Sequence, residues 1–177
     1  MGKYYIPNRE KCLSMLEEYK TPDRPKKHCI EVARVALAIG KALNEKGYEL
    51  DLDLLESAGL VHDMLRVEEH HGEKCAEVLE NMGYEKITEL VHDHMKFNFP
   101  NKEVNEMAVF CLADRLVLED KYVGLEKRMQ YVIEKHKGAD DIKEIMERVI
   151  KTVQGYINYL EKECLGKSID EMLRGYN

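Results

Sequence analysis

Six titratable side chains in this sequence fall on helical faces that are otherwise apolar, and their types are those of transition-metal ligands. His28 shares a face with Val32, Val35 and Ile39, and His62 follows Leu55 and Ala58 and precedes Leu65. His71 lines up with Cys75, Val78 and Met82, and His94 follows Ile87 and Val91. Asp114 sits with Met107, Phe110, Val117 and Leu118. Residues three or four apart meet on one side of a helix, which is what places these groups inward. Asp63 is the sixth, beside His62 in the stretch AGLVHDML. A charged aspartate there costs several kcal/mol unless something pairs with it. One inward histidine is more often a satisfied core residue than a ligand. Five groups on five helices would each need a partner, and apolar faces offer few. A shared metal centre satisfies all of them together. Four imidazoles and two carboxylates suit iron, manganese or zinc better than an all-oxygen calcium site. His62 and Asp63 diverge by about 100° on a helix, so both reach one ion only if it lies between their directions. A carboxylate has two oxygens and can bridge metals about 3.5–4 Å apart, which makes Asp63 the candidate bridge.

Other polar residues divide by face. His70 neighbours Glu73, Lys74 and Glu77, and His92 neighbours Glu89 and Lys96, so both belong to solvated faces. His136 ends a helix, where its charge complements the helix dipole. Arg66 follows the His62–Asp63 pair by one helical turn and can reach a substrate phosphate; a surface ion pair with Glu68 or Glu69 is the competing role. Lys96 and Arg115 flank two of the inward groups and are weaker phosphate candidates. Arg24, Lys26 and Lys27 read as a solvated basic loop, and YVGLEKR, ending at Arg128, as a segment able to overhang the site. A base or sugar pocket has Phe97, Phe99, Tyr122 and Tyr131 to draw on.

The elements that must position these groups are helices. Asn8 caps a first helix carrying Cys12, Leu13, Leu16 and Tyr19, and TPDRP interrupts the chain. The spacing predicts a helix over 26–46 stopped by Gly47, a helix capped by Asp51 or Asp53 through AGLVHDML, and a helix over 71–82 stopped by Gly83. YEKITELVHDHM follows, then helices over 103–119, 125–137 and 140–163, with a short tail helix from Ser168. No segment reads as a strand and no glycine-rich phosphate loop occurs, since LGKS lacks the required upstream glycine. The fold class is all-α: a single compact helical bundle spanning 1–177, with a metal-binding core over 26–121 and C-terminal helices over 124–174 packing on it.

The ordered set now resembles a known signature. His28, then His62–Asp63, then the aspartate of ADRL at 114 are similar to the H…HD…D pattern of the HD-domain metal-dependent phosphohydrolases. The phrases HCIEVARVALAIGKAL, HGEKCAEVL and ITELVHDHM fit that family's habits as well. The resemblance implies that His28, His62, Asp63 and Asp114 hold a first metal, and that His71 and His94 hold a second with Asp63 bridging. His71 and His94 take precedence over His70 and His92 because they match the family's places and fall on apolar faces. Relatives often carry Lys or Arg at the place of Arg66. Cys75 departs from the pattern, where relatives commonly carry glycine.

The resemblance further implies two divalent transition-metal ions, iron or manganese first, with zinc, nickel, cobalt or magnesium as alternatives. It implies hydrolysis of a phosphate ester or anhydride in a small nucleotide by a metal-activated hydroxide, with Asp63 and Arg66 as the catalytic pair. The two-metal pattern is similar to that of HD enzymes acting on dinucleoside polyphosphates and of some cyclic-dinucleotide phosphodiesterases, but the GYP element of the latter is missing. A di-iron oxygenase and a non-catalytic nucleotide-binding regulatory module remain as alternative readings. The chain has 177 residues and a net charge of -7, which disfavours extended nucleic acid and anionic membranes as partners. No run approaches the roughly 18 apolar residues of a membrane helix, and MGKYYIPNREKC has no apolar core of a signal peptide. Cys12, Cys29, Cys75, Cys111 and Cys164 form no C-x-x-C pair, and Cys29, Cys75 and Cys111, in helical patterns beside small apolar residues, read as reduced, mostly buried thiols of a cytoplasmic protein. The tyrosine-rich VQGYINYL packs either the core or a partner, so a homo-oligomer stays open.

Overall fold

The structure is a computed structural model, and it describes residues 5–100, 102–139 and 141–174. Helix α1 (Arg9–Glu18) starts at Asn8, whose side chain accepts a hydrogen bond from the Lys11 amide at 2.9 Å. Helix α2 (Asp23–Asn44) begins earlier than the expected Lys26. Pro25 sits in its first turn, where a missing amide costs nothing. Arg24, Lys26 and Lys27 therefore lie on a helix and not on a loop. The chain leaves α2 through Gly47 at φ 94°, the left-handed conformation that ends helices. Asp51, not Asp53, caps α3 (Leu52–Val61), accepting from the Leu54 amide at 3.0 Å.

Helices α4 (His71–Asn81) and α5 (Glu85–Asp93) form the next antiparallel pair, and α5 tightens into a 3₁₀ turn over His94–Lys96. Helix α6 (Glu106–Leu116) is capped by Asn105 and stops before the expected Glu119. The chain instead forms a small antiparallel hairpin, β1 (Val117–Leu118) with β2 (Lys121–Tyr122), turning through Glu119 at φ 55°. The sequence reading contains no strand. Two-residue strands are too short for an alternating pattern to stand out against helical spacing.

Helix α7 (Leu125–Lys135) follows, then α8 (Ile142–Tyr159). The expected start of α8 at Asp140 lies outside the described residues. Beyond Tyr159 the helix widens to a π-helical segment, Leu160–Leu165, and a last helix α9 (Ile169–Arg174) closes the described chain. The fold is thus all-α apart from the hairpin.

Helix α2 is the spine. It packs most extensively on α3 and next on α6, while α4 lies on α5 and α7 on α8. The α2–α3 contact depends on Gly59: a Cβ there would approach the Ala33 Cα to 2.6 Å. One apolar cluster runs from Cys12 to Leu173. All five cysteines are buried and unpaired, and burial pushes the thiols of Cys12 and Cys75 up to about 11 and that of Cys111 to about 12. In VQGYINYL, Val153, Tyr156, Ile157 and Leu160 are buried, so this stretch packs the core. Among the described residues no helix is long and apolar enough to cross a membrane.

Candidate metal centre

Helix α3 ends one residue before the histidine–aspartate pair, so the pair terminates the helix instead of lying inside it. His62 keeps a helical backbone, its amide bonding the Ala58 carbonyl at 3.1 Å. A run of tight turns then carries the chain to His70, closed by Met64 N to Val61 O, Arg66 N to Asp63 O and Glu68 N to Leu65 O. Two contacts brace this segment. The Thr21 hydroxyl donates to the Met64 carbonyl at 2.8 Å, and the Leu65 amide donates to Cys75 Sγ at 3.3 Å. The cysteine that departs from the family pattern thus pins the segment to α4.

The six inward groups converge. Ligand atoms of His28, His62 and Asp63 lie within 4.8 Å of one another, as do those of His62, His94 and Asp114 and those of Asp63, His71 and His94. The three sets overlap, so the donors form one continuous ring. Asp63 faces both ways. Its Oδ2 is 3.7 Å from His62 Nε2 and 4.0 Å from His28 Nε2, while its Oδ1 is 3.1 Å from His71 Nε2. Asp114 Oδ1 lies 3.0 Å from His28 Nε2 and 3.7 Å from His62 Nε2.

Backbone carbonyls decide which nitrogen each ring offers. Nδ1 of His62 meets Gly59 O at 2.9 Å, Nδ1 of His94 meets Val91 O at 2.5 Å, and Nδ1 of His28 meets Glu119 O at 3.0 Å. A carbonyl can only accept, so each Nδ1 carries a proton, and a ring that holds no second proton turns its Nε2 lone pair into the cluster. This is the arrangement that orients ligating histidines. The consequence is sharpest at His62, which is fully buried and whose Nε2 has no hydrogen-bond partner among the described residues. An unsatisfied buried nitrogen costs about 1–3 kcal/mol, and here it faces two carboxylates. Nitrogen lone pairs and anionic oxygens crowded together in this way require a cation between them. The donor set therefore fits divalent transition-metal ions.

The electrostatics follow from the same crowding. Burial alone would lower the pKa of His62, but the charge of Asp63 outweighs it and raises the value well above ordinary histidine. Burial would raise Asp63, yet the positive charge of protonated His62, the neighbouring His71 ring and the Arg66 guanidinium hold it below the usual carboxylate range. Asp114 is likewise held well down against burial, chiefly by its hydrogen bond to His28. His94 is lowered by burial and by the positive charge of His62.

A cavity of about 410 Å³ opens over this cluster, with His28 and Asp63 in its lining. Arg66 lines it too, and Nη1 of Arg66 donates to His71 Nε2 at 2.8 Å and lies 3.3 Å from Asp63 Oδ1. It pairs with Asp63 and not with Glu68 or Glu69. Arg24 and Arg128 reach the same cavity, as does Tyr131. The other sequence candidates sit elsewhere. Lys96 is exposed and faces Glu73 at 3.6 Å. Arg115 donates to the Cys111 carbonyl at 3.1 Å and stacks over Phe99. Phe97 packs on Phe99, and Tyr122 donates to Asp170 at 3.1 Å. None of these lines the cavity. Lys135 and His136 do line it, although neither flanks an inward group in the sequence. Their signal was the i, i+7 spacing of Arg128 and Lys135 on one helix.

Comparison with known proteins agrees with this geometry. The chain is 30% identical over 148 residues to the uncharacterized protein MJ0778 of Methanocaldococcus jannaschii, covering 80% of this chain and 86% of that protein. No solved structure matches at a significant level. The HD domain family model matches residues 26–164, beyond the expected core and through α7 and α8. With the histidine and aspartate groups gathered on α2, α3, α4, α5 and α6, this match settles the family: the chain belongs to the HD domain family, within the superfamily of metal-dependent phosphohydrolases.

Proposed function

We propose that the protein is a metal-dependent phosphohydrolase that cleaves a phosphate ester or anhydride of a small nucleotide. The observation that carries this reading is the buried, unpartnered Nε2 of His62 within a ring of lone pairs and carboxylates, at the floor of a cavity walled by arginines. His28, His62, Asp63 and Asp114 would hold one divalent transition-metal ion, iron or manganese by preference. Asp63, His71 and His94 would hold a second. When bound, such ions supply an acidified water and Lewis acidity toward a phosphoryl oxygen.

The chain's own residues do the rest. The carbonyls of Gly59, Val91 and Glu119 keep three imidazoles aimed, so no reorganisation is needed when substrate arrives. Burial of His62 and Asp63 removes water from the floor, which strengthens every charge interaction made there. Arg66, beside Asp63, binds a phosphoryl oxygen and neutralises charge that develops on it. Tyr131 offers an aromatic surface in the same cavity for a base. The decisive experiment measures metal per chain by elemental mass spectrometry, then phosphate release from a panel of small nucleotides. Close to two ions per chain and release abolished by Asp63→Ala are expected. Unchanged release from a folded Asp63→Ala protein would sink the mechanism.

A further inference from the structure

Helix α7 supplies part of the wall of the cavity that His28 and Asp63 line. Arg128 and Lys135 are seven residues apart, so they project from one face about two turns, or roughly 10 Å, from each other. Tyr131 and Val132 lie between them on that face, and all four line the cavity that holds His28 and Asp63. The charges of this wall differ from the other cations of the cavity. Arg24 is bound to Glu119 at 2.5 Å and to the Tyr131 hydroxyl at 3.2 Å. Arg66 is engaged with Asp63 and His71. Among the described residues Arg128 and Lys135 make no ion pair, and Arg128 Nε is buried without a hydrogen-bond partner. A desolvated guanidinium nitrogen with nothing to donate to is costly, and it marks a side chain whose charge the protein itself leaves unanswered. The whole chain carries a net charge of -7, so two uncompensated cations facing one cavity are a local reversal of its sign.

We propose that Arg128 and Lys135 form a second phosphate subsite, distinct from the floor and from Arg66. On the phosphohydrolase reading, on which this rests, the substrate then carries at least two phosphate groups. The scissile one lies over the histidine–aspartate floor and another lies against α7. The guanidinium fork of Arg128 matches two oxygens of one phosphate, and Lys135 adds a point charge further along the chain of phosphates. The volume of about 410 Å³ falls in the range that encloses an organic ligand and exceeds what a lone phosphate would fill. The site thus selects nucleoside di- or polyphosphates, or bisphosphates, over simple monophosphate esters.

The test is binding, read without turnover. The full metal-loaded chain, dialysed free of excess metal, is titrated calorimetrically with methylenediphosphonate and with methylphosphonate, which are non-hydrolysable. The wild type is expected to bind the diphosphonate about tenfold more tightly or better, the factor of one charge-assisted hydrogen bond. The double variant R128Q/K135Q should lose that margin while its methylphosphonate affinity and melting temperature stay as in the wild type. A margin that survives in the double variant overturns the subsite, and so does an equal weakening of both ligands at unchanged melting temperature. Wild-type protein that carries metal but binds neither phosphonate overturns the phosphohydrolase reading as well, so the two failures are distinguishable.

Discussion

The two halves of the donor ring are built differently. On the α2–α3–α6 side, His28 and His62 are each aimed by a backbone carbonyl, and His62 is sealed from solvent. Among the described residues no side chain hydrogen-bonds its Nε2. On the α4 side, His71 stands in the first turn of its helix with its side chain 15% exposed. Its Nε2 accepts a bond from Arg66, so a guanidinium already faces the lone pair and Asp63 Oδ1. One half thus demands a cation from outside, whereas the other is partly served by the chain itself. Preorganisation and competition, not ligand type, separate them. The first half is expected to bind metal more tightly than the second.

The largest effect should come from comparing His62→Ala with His71→Ala. Loss of His62 removes the deepest donor and is expected to leave the chain without metal, whereas His71→Ala should retain close to one ion. Elemental analysis of both proteins decides; equal losses would erase the distinction between the halves. Next in size is Arg66→Gln. Freed of its competing cation, the second half should bind metal more tightly in a stepwise titration, while phosphate release falls about 10²-fold, as when one transition-state donor is lost. A variant that lost metal affinity would mean that Arg66 supports the His71 half and does not compete with it.

A smaller change is expected from Gly59→Ala. The added methyl would drive α3 away from Ala33, costing about 1–3 kcal/mol of stability and tilting the carbonyl that aims His62. Thermal melts with and without metal should show a lower melting temperature and a reduced gain on metal loading. An unchanged gain would show that His62 tolerates the shift.

The smallest effect is a pH dependence of the metal-free protein. The folded pKa of His62 is raised, so its contribution to stability is fully present below the unfolded value of about 6.5. That contribution is lost as pH rises through the folded value, because the folded state then releases its extra proton. Metal binding requires the same nitrogen deprotonated. The gain in melting temperature on metal loading should therefore widen between pH 6 and pH 8.5. A gain that narrowed would place the proton elsewhere.

Five ring members could be read from the sequence because each interrupts an apolar helical stripe, and packing turns a stripe inward; Asp63 could be read only from its place beside His62. Adjacency in the chain was a poorer guide. Arg115 follows Asp114 directly, but neighbours on a helix point about 100° apart, which sends its guanidinium to Phe99 and not to the cavity. Lys96, two residues past His94, likewise leaves on the exposed side. The carbonyls of Gly59, Val91 and Glu119 carry no mark in the sequence, because every residue has one and only the turn decides where it points. The hairpin was illegible for a related reason: Val117 and Leu118 extend the apolar spacing of α6 until Glu119 reverses the chain.

Glu119 has a consequence of its own. Its carbonyl holds the ring of His28, while its carboxylate holds Arg24 at the cavity rim, and Arg24 in turn holds Tyr131 of α7. One residue at the tip of a six-residue hairpin therefore touches both a ring of the floor and a cation at the rim. Binding free energies are reciprocal. Whatever factor an anion that draws Arg24 off Glu119 would impose on metal affinity at His28, the metal would impose on that anion.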